Sequence, residues 1–269
     1  MRIGTQPLIL VTNDDGIASL GLRAAVRSVL DLGEVRVIAP RVQQSGLGRS
    51  FPNGPAPVEE GFLEIDGKRV HSVCMDTSPA QVVRLGLLSF LPRLPDLAIA
   101  GINYGENLGG CVTVSGTIGA AIETASFGIP TLAASLETEA KYHFAVDAEV
   151  DFRAAAAFVR RLAQALLSGG MPAGADILKL DVPGDATAKT PWRTTCVSRQ
   201  QYFVSNVSTD AHGNRRISGY KKEINYDTLE RDSDIYAVAL DRVVSVSPMT
   251  IDLTAHAAIR PVQDMLESI

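Results

Sequence analysis

Short apolar runs alternate with amphipathic segments from the start of the chain to about Pro183. Residues 8–12, 97–100, 131–136 and 177–182 are typical of buried strands, and helical spacing of apolar residues lies between several of them. Two parallel strands need a crossover connection, usually a helix, so this alternation predicts βαβ units. We therefore expect an α/β fold with a mostly parallel sheet and helices on both of its faces.

Beyond Pro183 the composition becomes polar and rich in turn residues. Strand-like runs at 195–197, 202–204, 236–240 and 243–246 predict antiparallel hairpins there. We expect a Rossmann-like core over residues 1–190. Residues 191–269 are then a C-terminal arm and a tail that packs back on the core.

Charge and composition exclude several classes of partner. The formal net charge is −5 and no basic cluster dominates, which disfavours binding to a nucleic-acid polymer. No run approaches the roughly 20 apolar residues of a membrane span, so we expect no membrane partner. The three cysteines match neither a disulfide framework nor a zinc spacing. These features predict a cytoplasmic protein.

An acidic turn follows the first predicted strand directly, as Asn13-Asp14-Asp15-Gly16. Neighbouring strand side chains point to opposite faces, so Asp14 and Asp15 can converge only if the chain turns, which Gly16 permits. Two carboxylates at the carboxyl end of a strand indicate a Mg²⁺ or Mn²⁺ site. The alternative is a turn in which Asn and Asp bond their own backbone, or a cap for the following helix.

Two further loops should reach the same edge of the sheet. Ser45 follows the second predicted strand, and Asn103 opens a glycine-rich loop that ends at Ser115-Gly116-Thr117. A helix start at that tripeptide would offer N–H groups to a phosphate. Each feature also has a purely structural interpretation. Ser115-Gly116-Thr117 is then a helix cap, Asn103 is a turn residue, and the Ser45 hydroxyl is a loop hydroxyl without a function.

Over nearly its full length the chain resembles the SurE family of metal-dependent 5′-nucleotidases, also called stationary-phase survival proteins. The motifs that carry the resemblance are Val11-Thr12-Asn13-Asp14-Asp15-Gly16-Ile17, Ala39-Pro40 with Ser45-Gly46, Pro95-Asp96-Leu97, Gly101-Ile102-Asn103 with Gly105, Asn107-Leu108-Gly109, Ser115-Gly116-Thr117-Ile118-Gly119-Ala120-Ala121, and near the end Ser233-Asp234, Val244-Ser245-Val246-Ser247-Pro248 and Asp252-Leu253-Thr254. Their number and order indicate common ancestry.

The resemblance implies a site and an assembly. The metal ligands would be Asp14, Asp15, Ser45 and Asn103, and the phosphate-binding residues would be Asn107, Ser115, Gly116 and Thr117. One divalent cation per subunit, Mg²⁺ or Mn²⁺, would act on a nucleoside 5′-monophosphate or another small phosphate ester. The implied fold is a Rossmann-like three-layer αβα sandwich whose C-terminal hairpin arm is exchanged within a homodimer or homotetramer.

Several positions depart from the family pattern. They are Leu20 in the first helix, Val114 where the family usually has Tyr, the segment 76–81, and Lys179 in a strand that is usually rich in Asn. The four implied metal ligands are unaffected by these changes. The departures therefore bear on substrate preference.

The resulting hypothesis is hydrolysis of a phosphomonoester, with Asp14 or Asp15 orienting the attacking water as catalytic residues. One alternative is a phosphotransferase that forms an aspartyl-phosphate, although Thr12 occupies the position of its nucleophile. Another is a non-catalytic nucleotide or metal sensor on the same scaffold. A dinucleotide oxidoreductase is disfavoured, because no Gly-x-Gly-x-x-Gly follows the first strand. The four histidines have no recognisable partner motif, and none is given a catalytic role.

Overall fold

The computed structural model describes residues 6–143 and 150–269. The strands are β1 (Leu8–Thr12), β2 (Glu34–Pro40), β3 (Val58–Ile65), β4 (Lys68–Met75), β5 (Leu97–Tyr104), β6 (Thr131–Leu136), β7 (Ile177–Val182), β8 (Trp192–Thr194), β9 (Phe203–Thr209), β10 (Arg215–Lys222) and β11 (Val244–Met249). The α-helices are α1 (Leu20–Val29), α2 (Pro79–Ser89), α3 (Gly116–Ala125), α4 (Arg153–Gly169) and α5 (Ile259–Glu267). No helix in these ranges is long and apolar enough to cross a membrane.

The central sheet is mixed but mostly parallel, as the alternating sequence pattern predicts. Its strand order is β3-β4-β2-β1-β5-β6-β7-β11-β8. The six neighbouring strands β4, β2, β1, β5, β6 and β7 run parallel to one another. Strand β3 pairs antiparallel with β4, and β11 pairs antiparallel with β7. Strands β8 and β11, both from beyond residue 190, complete this sheet. The strand order reverses beside β1, so a crevice opens between the carboxyl ends of β1 and β5.

Helices cover both faces of the sheet and give the fold three layers. Helices α1 and α4 pack on one face, and α2 and α3 pack on the other. The first four residues of β1 are apolar because both faces of the strand are buried. Ile9 and Val11 pack against α1 and α4, while Leu10 belongs to the cluster on the opposite face. This packing fixes the carboxyl end of β1 in the middle of the molecule.

A separate antiparallel hairpin, β9 with β10, lies outside the central sheet. Its far part is exposed, with Val207 and Ile217 at 67% and 72% of full accessibility. At its base Phe203 and Tyr220 are half-buried. The predicted C-terminal hairpin is therefore present, and it meets the rest of the chain through its base.

One predicted strand, Tyr236–Leu240, is wrong, because this segment is a π-helical turn. A five-residue apolar run suits either a strand or a buried helical turn. The hydroxyl oxygen of Ser233 accepts from the N–H of Tyr236 at 3.2 Å, and Val238 packs with Tyr202 in a small apolar cluster. Local bonding and burial together select the helical form.

The predicted strand at 195–197 is misplaced and β10 was not predicted. The observed strand, β8, lies three residues earlier and pairs in parallel with β11. Most of β10 is exposed on both faces. It therefore lacks the alternation of apolar and polar residues from which a half-buried strand is inferred.

Candidate metal and phosphate site

The acidic turn after β1 brings two carboxylates into the crevice beside β5. Asn13 Nδ2 donates to the carbonyl oxygen of Gly16 at 3.1 Å, and Gly16 has a φ of +96°. Asp14 and Asp15 are only 4% and 2% exposed. The helix cap is Ser19, whose hydroxyl accepts from Leu22 N–H at 3.3 Å. The two aspartates are therefore free of the capping role that the sequence left open.

Asp14 packs against the start of α3. The hydroxyl of Thr117 donates to Asp14 Oδ1. A Cβ built on Gly116 would lie 2.7 Å from Asp14 Oδ2, so no larger residue fits there without movement. The Ser-Gly-Thr sequence thus serves to bring the first turn of a helix into contact with a carboxylate.

Asp15 is held by a different set of donors. Its Oδ2 accepts from the N–H of Tyr104 at 3.1 Å, and its Oδ1 accepts from Gln43 Nε2 at 3.1 Å. Gln43 Nε2 also donates to the carbonyl oxygen of His143 at 2.6 Å. Gln43 therefore links Asp15 to the segment after β6, a contact that the sequence did not indicate.

The electrostatics of the pair favour a bound cation. Burial raises the pKa of Asp14, although Thr117 donates to it. Burial also raises the pKa of Asp15 well above its ordinary value, and the charge of Asp14 raises it further. Within residues 6–143 and 150–269 no Lys or Arg pairs with either carboxylate. A divalent cation would offset this repulsion.

Asn103 presents an oxygen to the same corner. Its Nδ2 donates to the carbonyl oxygen of Gly105 at 2.7 Å, which turns Oδ1 toward the Thr117 hydroxyl, 3.1 Å away. The same hydroxyl donates to Asp14, so Thr117 lies between two of the oxygen donors.

Ser45 reaches this corner through its loop. Gln44 N–H donates to the carbonyl oxygen of Asp14 at 2.7 Å, which holds the loop with the exposed Ser45 next to the acidic turn. Among the described residues, no group of three or more His, Cys, Asp or Glu side chains could hold a metal ion. Two carboxylates with an amide and a hydroxyl oxygen form a hard donor set that suits Mg²⁺ or Mn²⁺.

A cavity of about 310 Å³ opens beside these donors. Asp14, Ser45 and Asn103 line it, together with Asn107 and Ser115. Asp15 is not in the lining, so of the two aspartates only Asp14 borders the cavity. The volume lies at the low end for small-molecule sites, so the cavity suits one small ligand.

The four residues expected to bind phosphate divide into two pairs. Ser115 and Asn107 line the cavity, whereas Gly116 and Thr117 lie behind Asp14. The Ser115 hydroxyl oxygen also caps α3 by accepting from Ile118 N–H at 3.2 Å. Asn107 Nδ2 donates to the Ser135 hydroxyl oxygen at 2.8 Å.

This geometry agrees with three comparisons with known proteins. The sequence model of a family described as "Survival protein SurE" matches residues 9–204. The chain belongs to the SurE family. Proteins named 5′-nucleotidase SurE from Thermococcus kodakarensis and Methanothrix thermoacetophila are 39% and 41% identical to it, over 96% and 97% of this chain and 98% and 99% of theirs. The crystal structure of the SurE protein from Aquifex aeolicus aligns with a TM-score of 0.77 at 28% identity, covering 96% and 99% of the two chains.

This SurE chain also contains a buried charge cluster that the sequence did not reveal. Lys179 Nζ donates to Asp181 and, at 2.9 Å, to Asp234 Oδ2, and all three side chains are fully buried. The cluster binds the loop that follows β5. Asp181 Oδ1 accepts from Asn107 N–H at 2.8 Å, and Asp234 Oδ2 accepts from Gly109 N–H at 3.1 Å. The signal in the sequence was the presence of Lys179 and Asp181 in a predicted core strand, but the third member of the cluster, Asp234, is distant in sequence.

The cavity of this SurE protein has a second set of residues that sequence reasoning missed. His143, Phe203 and Tyr220 line it along with Asp14. Val114, one of the departures from the family pattern, also lines it and is 57% exposed. Tyr104 contributes to the lining, yet its ring packs edge-on against Phe152 with centroids 4.9 Å apart.

Proposed function

We propose that this protein is a divalent-metal-dependent 5′-nucleotidase that hydrolyses nucleoside 5′-monophosphates to nucleoside and phosphate. The observation that carries the proposal is the pair of buried carboxylates, Asp14 and Asp15, at the edge of a cavity that suits one small ligand. The names of the relatives from Thermococcus and Methanothrix support the same activity. No observation favours an aspartyl-phosphate enzyme or a non-catalytic sensor over hydrolysis.

The ligands of the cation in this proposal are Asp14, Asp15, Ser45 and Asn103, with one Mg²⁺ or Mn²⁺ per subunit. A bound cation supplies Lewis-acid polarisation of the phosphoryl group. Asp14 lines the cavity, and we assign to it the orientation of the attacking water, while Asp15 completes the ligand set. Thr117 and Gln43 act by orienting these groups.

The phosphate group would lie against Ser115 and Asn107, beside the first turn of α3. Gly116 lets that turn approach Asp14 closely, so the N-terminal end of the helix dipole acts on the same corner. We also propose that the protein forms a homodimer or homotetramer through the C-terminal arm. A cytoplasmic location is consistent with its three free cysteines.

The test is phosphate release from a panel of nucleoside 5′-monophosphates by protein stripped of metal with EDTA and then supplied with Mn²⁺ or Mg²⁺. We expect activity only with added metal. Asp14→Asn and Asp15→Asn should each lower it about a hundredfold or more, because each removes a charged ligand. Asp227→Asn, at an exposed position, is the matched control. Metal-stimulated activity that survives in both site variants would contradict the proposal.

A further inference from the structure

A fully buried carboxylate lies on α3, two turns along the helix from the cavity, and two arginines share it. Glu123 Oε2 accepts from Arg49 Nε at 2.9 Å, and Glu123 Oε1 accepts from Arg84 Nε at 2.6 Å. Arg84 belongs to α2, so its bond joins two helices. Arg49 belongs instead to the connection between β2 and β3, residues 41–57. We call this connection the Ser45 loop, because it also carries Ser45.

The Ser45 loop lies along one face of α3. Ser115, Gly119 and Glu123 are spaced four residues apart, so they follow one another on that face. A Cβ built on Gly119 would clash with the carbonyl oxygen of Gly48 and would lie 2.7 Å from Arg49 N. The backbone of the loop therefore packs directly on the helix, and Gly119 provides the space for this contact.

Backbone hydrogen bonds attach the loop on both sides of Ser45. Before it, Gln44 N–H donates to the carbonyl oxygen of Asp14 at 2.7 Å. After it, Gly48 N–H donates to the carbonyl oxygen of Val114 at 3.0 Å. Ser45 itself is exposed. Its position next to the acidic turn therefore depends on where the loop is attached to the rest of the molecule.

The ion pair between Arg49 and Glu123 fixes that attachment. A carboxylate without access to water is stable in its charged form only if cations and hydrogen-bond donors surround it, so Glu123 holds both arginines in place. A ligand on a free loop would lose conformational entropy when it binds a cation. Attaching the loop to α3 beforehand reduces that loss.

We propose that Glu123 and Arg49 are positioning residues, which hold the Ser45 loop in the conformation in which Ser45 binds the cation. This inference rests on the proposed 5′-nucleotidase function and its ligand set. It extends the site to an ion pair that is not part of the cavity lining. Neither residue contacts the cation or the substrate, and both act through Ser45.

The test compares two arginines that share one carboxylate. Arg49→Met and Arg84→Met each remove one bond to Glu123, and the two side chains are similarly exposed, at 39% and 42%. We expect Arg49→Met to weaken Mn²⁺ binding about tenfold, because loss of an outer partner of a metal ligand typically costs that much affinity. Arg84→Met should leave the affinity nearly unchanged. Arg84 also lies over the Phe51 ring, but this contact comes after the point where the loop packs on α3.

The measurement is the dissociation constant of Mn²⁺ from metal-free protein, followed by electron paramagnetic resonance of the free ion. A double-mutant cycle then identifies the route of the effect. In Ser45→Ala protein the ligand is already absent, so adding Arg49→Met should cause no further loss of Mn²⁺ affinity. A merely structural role would instead weaken binding by the same factor in both backgrounds.

Gly119→Ala moves the loop without changing any charge. Its Cβ would displace the Gly48 backbone, so we expect this variant also to bind Mn²⁺ more weakly. Alanine favours the helical conformation more than glycine does, so instability of α3 would not account for the loss.

The proposal is wrong if Arg49→Met and Arg84→Met weaken Mn²⁺ binding equally, or if Arg49→Met leaves it unchanged. An effect of Arg49→Met that is as large in Ser45→Ala protein as in the unmodified protein would also overturn it, as would unmodified protein that binds no Mn²⁺.

These outcomes are separable from the proposed function. If the expected binding pattern is found but no phosphate ester is hydrolysed, the nucleotidase proposal fails and the positioning role stands. If nucleoside monophosphates are hydrolysed but Arg49→Met binds Mn²⁺ as tightly as the unmodified protein, the positioning role fails and the nucleotidase proposal stands.

Discussion

At the residue scale, Lys179 is a fully buried lysine whose partners explain its position. The three-residue cluster has two carboxylates and one ammonium group, and its net charge would be −1 if all were ionised. Asp234 gains further support because its Oδ1 accepts from the N–H groups of Ser198 and Ile235 at 3.0 and 2.8 Å. Burial raises the pKa of Asp181 to about 6 despite the nearby ammonium. The charged form of Asp181 therefore depends on the Lys179 ammonium for its stabilisation more than the charged form of Asp234 does.

Removing the ammonium alone should therefore destabilise the protein strongly. We expect Lys179→Met to lower the free energy of unfolding by about 3–5 kcal/mol, because it leaves two carboxylates buried side by side. Adding Asp181→Asn should recover most of this loss, since Asp234 keeps its backbone donors. Urea unfolding measures both changes, with Lys189→Met at an exposed position as the control. A double variant no more stable than the single one would show that packing, not charge, is the cause.

At the scale of elements, Glu137 connects three segments near the base of the hairpin. It directly follows β6, and its Oε2 lies 2.6 Å from Arg242 Nη2 and accepts from Gly184 N–H at 2.9 Å. Its Oε1 is 3.4 Å from Lys222 Nζ at the end of β10. Burial raises the pKa of Glu137, but the bonds from Arg242 and Gly184 outweigh it and leave the pKa below its ordinary value.

This lowered pKa gives Glu137 a defined pH dependence. Since the folded pKa lies below the unfolded value of 4.5, its contribution to stability is present above pH 4.5 and is lost as pH falls through the folded pKa. We expect Glu137→Gln to cost about 1–3 kcal/mol near neutral pH. That difference should shrink toward zero in more acid solution. Urea unfolding across this range tests it, with the exposed Glu139→Gln as control. A pH-independent difference would contradict the assignment.

The elements also show what a sequence can predict. Strands β1, β6 and β7 match their predicted bounds because continuous burial makes most residues of each run apolar. The turn between β3 and β4 contains Asp66-Gly67, a pair typical of two-residue hairpin turns, and both residues have positive φ, at 50° and 75°. Strand β10 was missed because exposed residues carry no alternation. The same limit applies to the cavity, since His143 and Tyr220 are 77 residues apart and no local pattern connects them.

At the scale of the whole molecule, apolar groups remain exposed where the chain extends from its core. Val207 and Ile217 on the hairpin are 67% and 72% exposed, and α5 leaves Ile259 and Met265 56% and 55% exposed. Single exposed apolar residues are common, but Val207 and Ile217 are paired across β9 and β10 and so form one exposed apolar surface patch. A second copy of the chain that contributes its own hairpin would cover that surface.

We therefore expect the purified protein to be a dimer or tetramer in light scattering coupled to size-exclusion chromatography. Replacing Val207 and Ile217 together by Asp should yield monomers, because association would bury two unpaired charges. Leu88→Asp is a suitable control, since Leu88 is also 67% exposed but lies on α2, away from the hairpin. A monomeric unmodified protein would contradict the proposed assembly. An oligomer that persists in the Asp variant would place the interface on another surface.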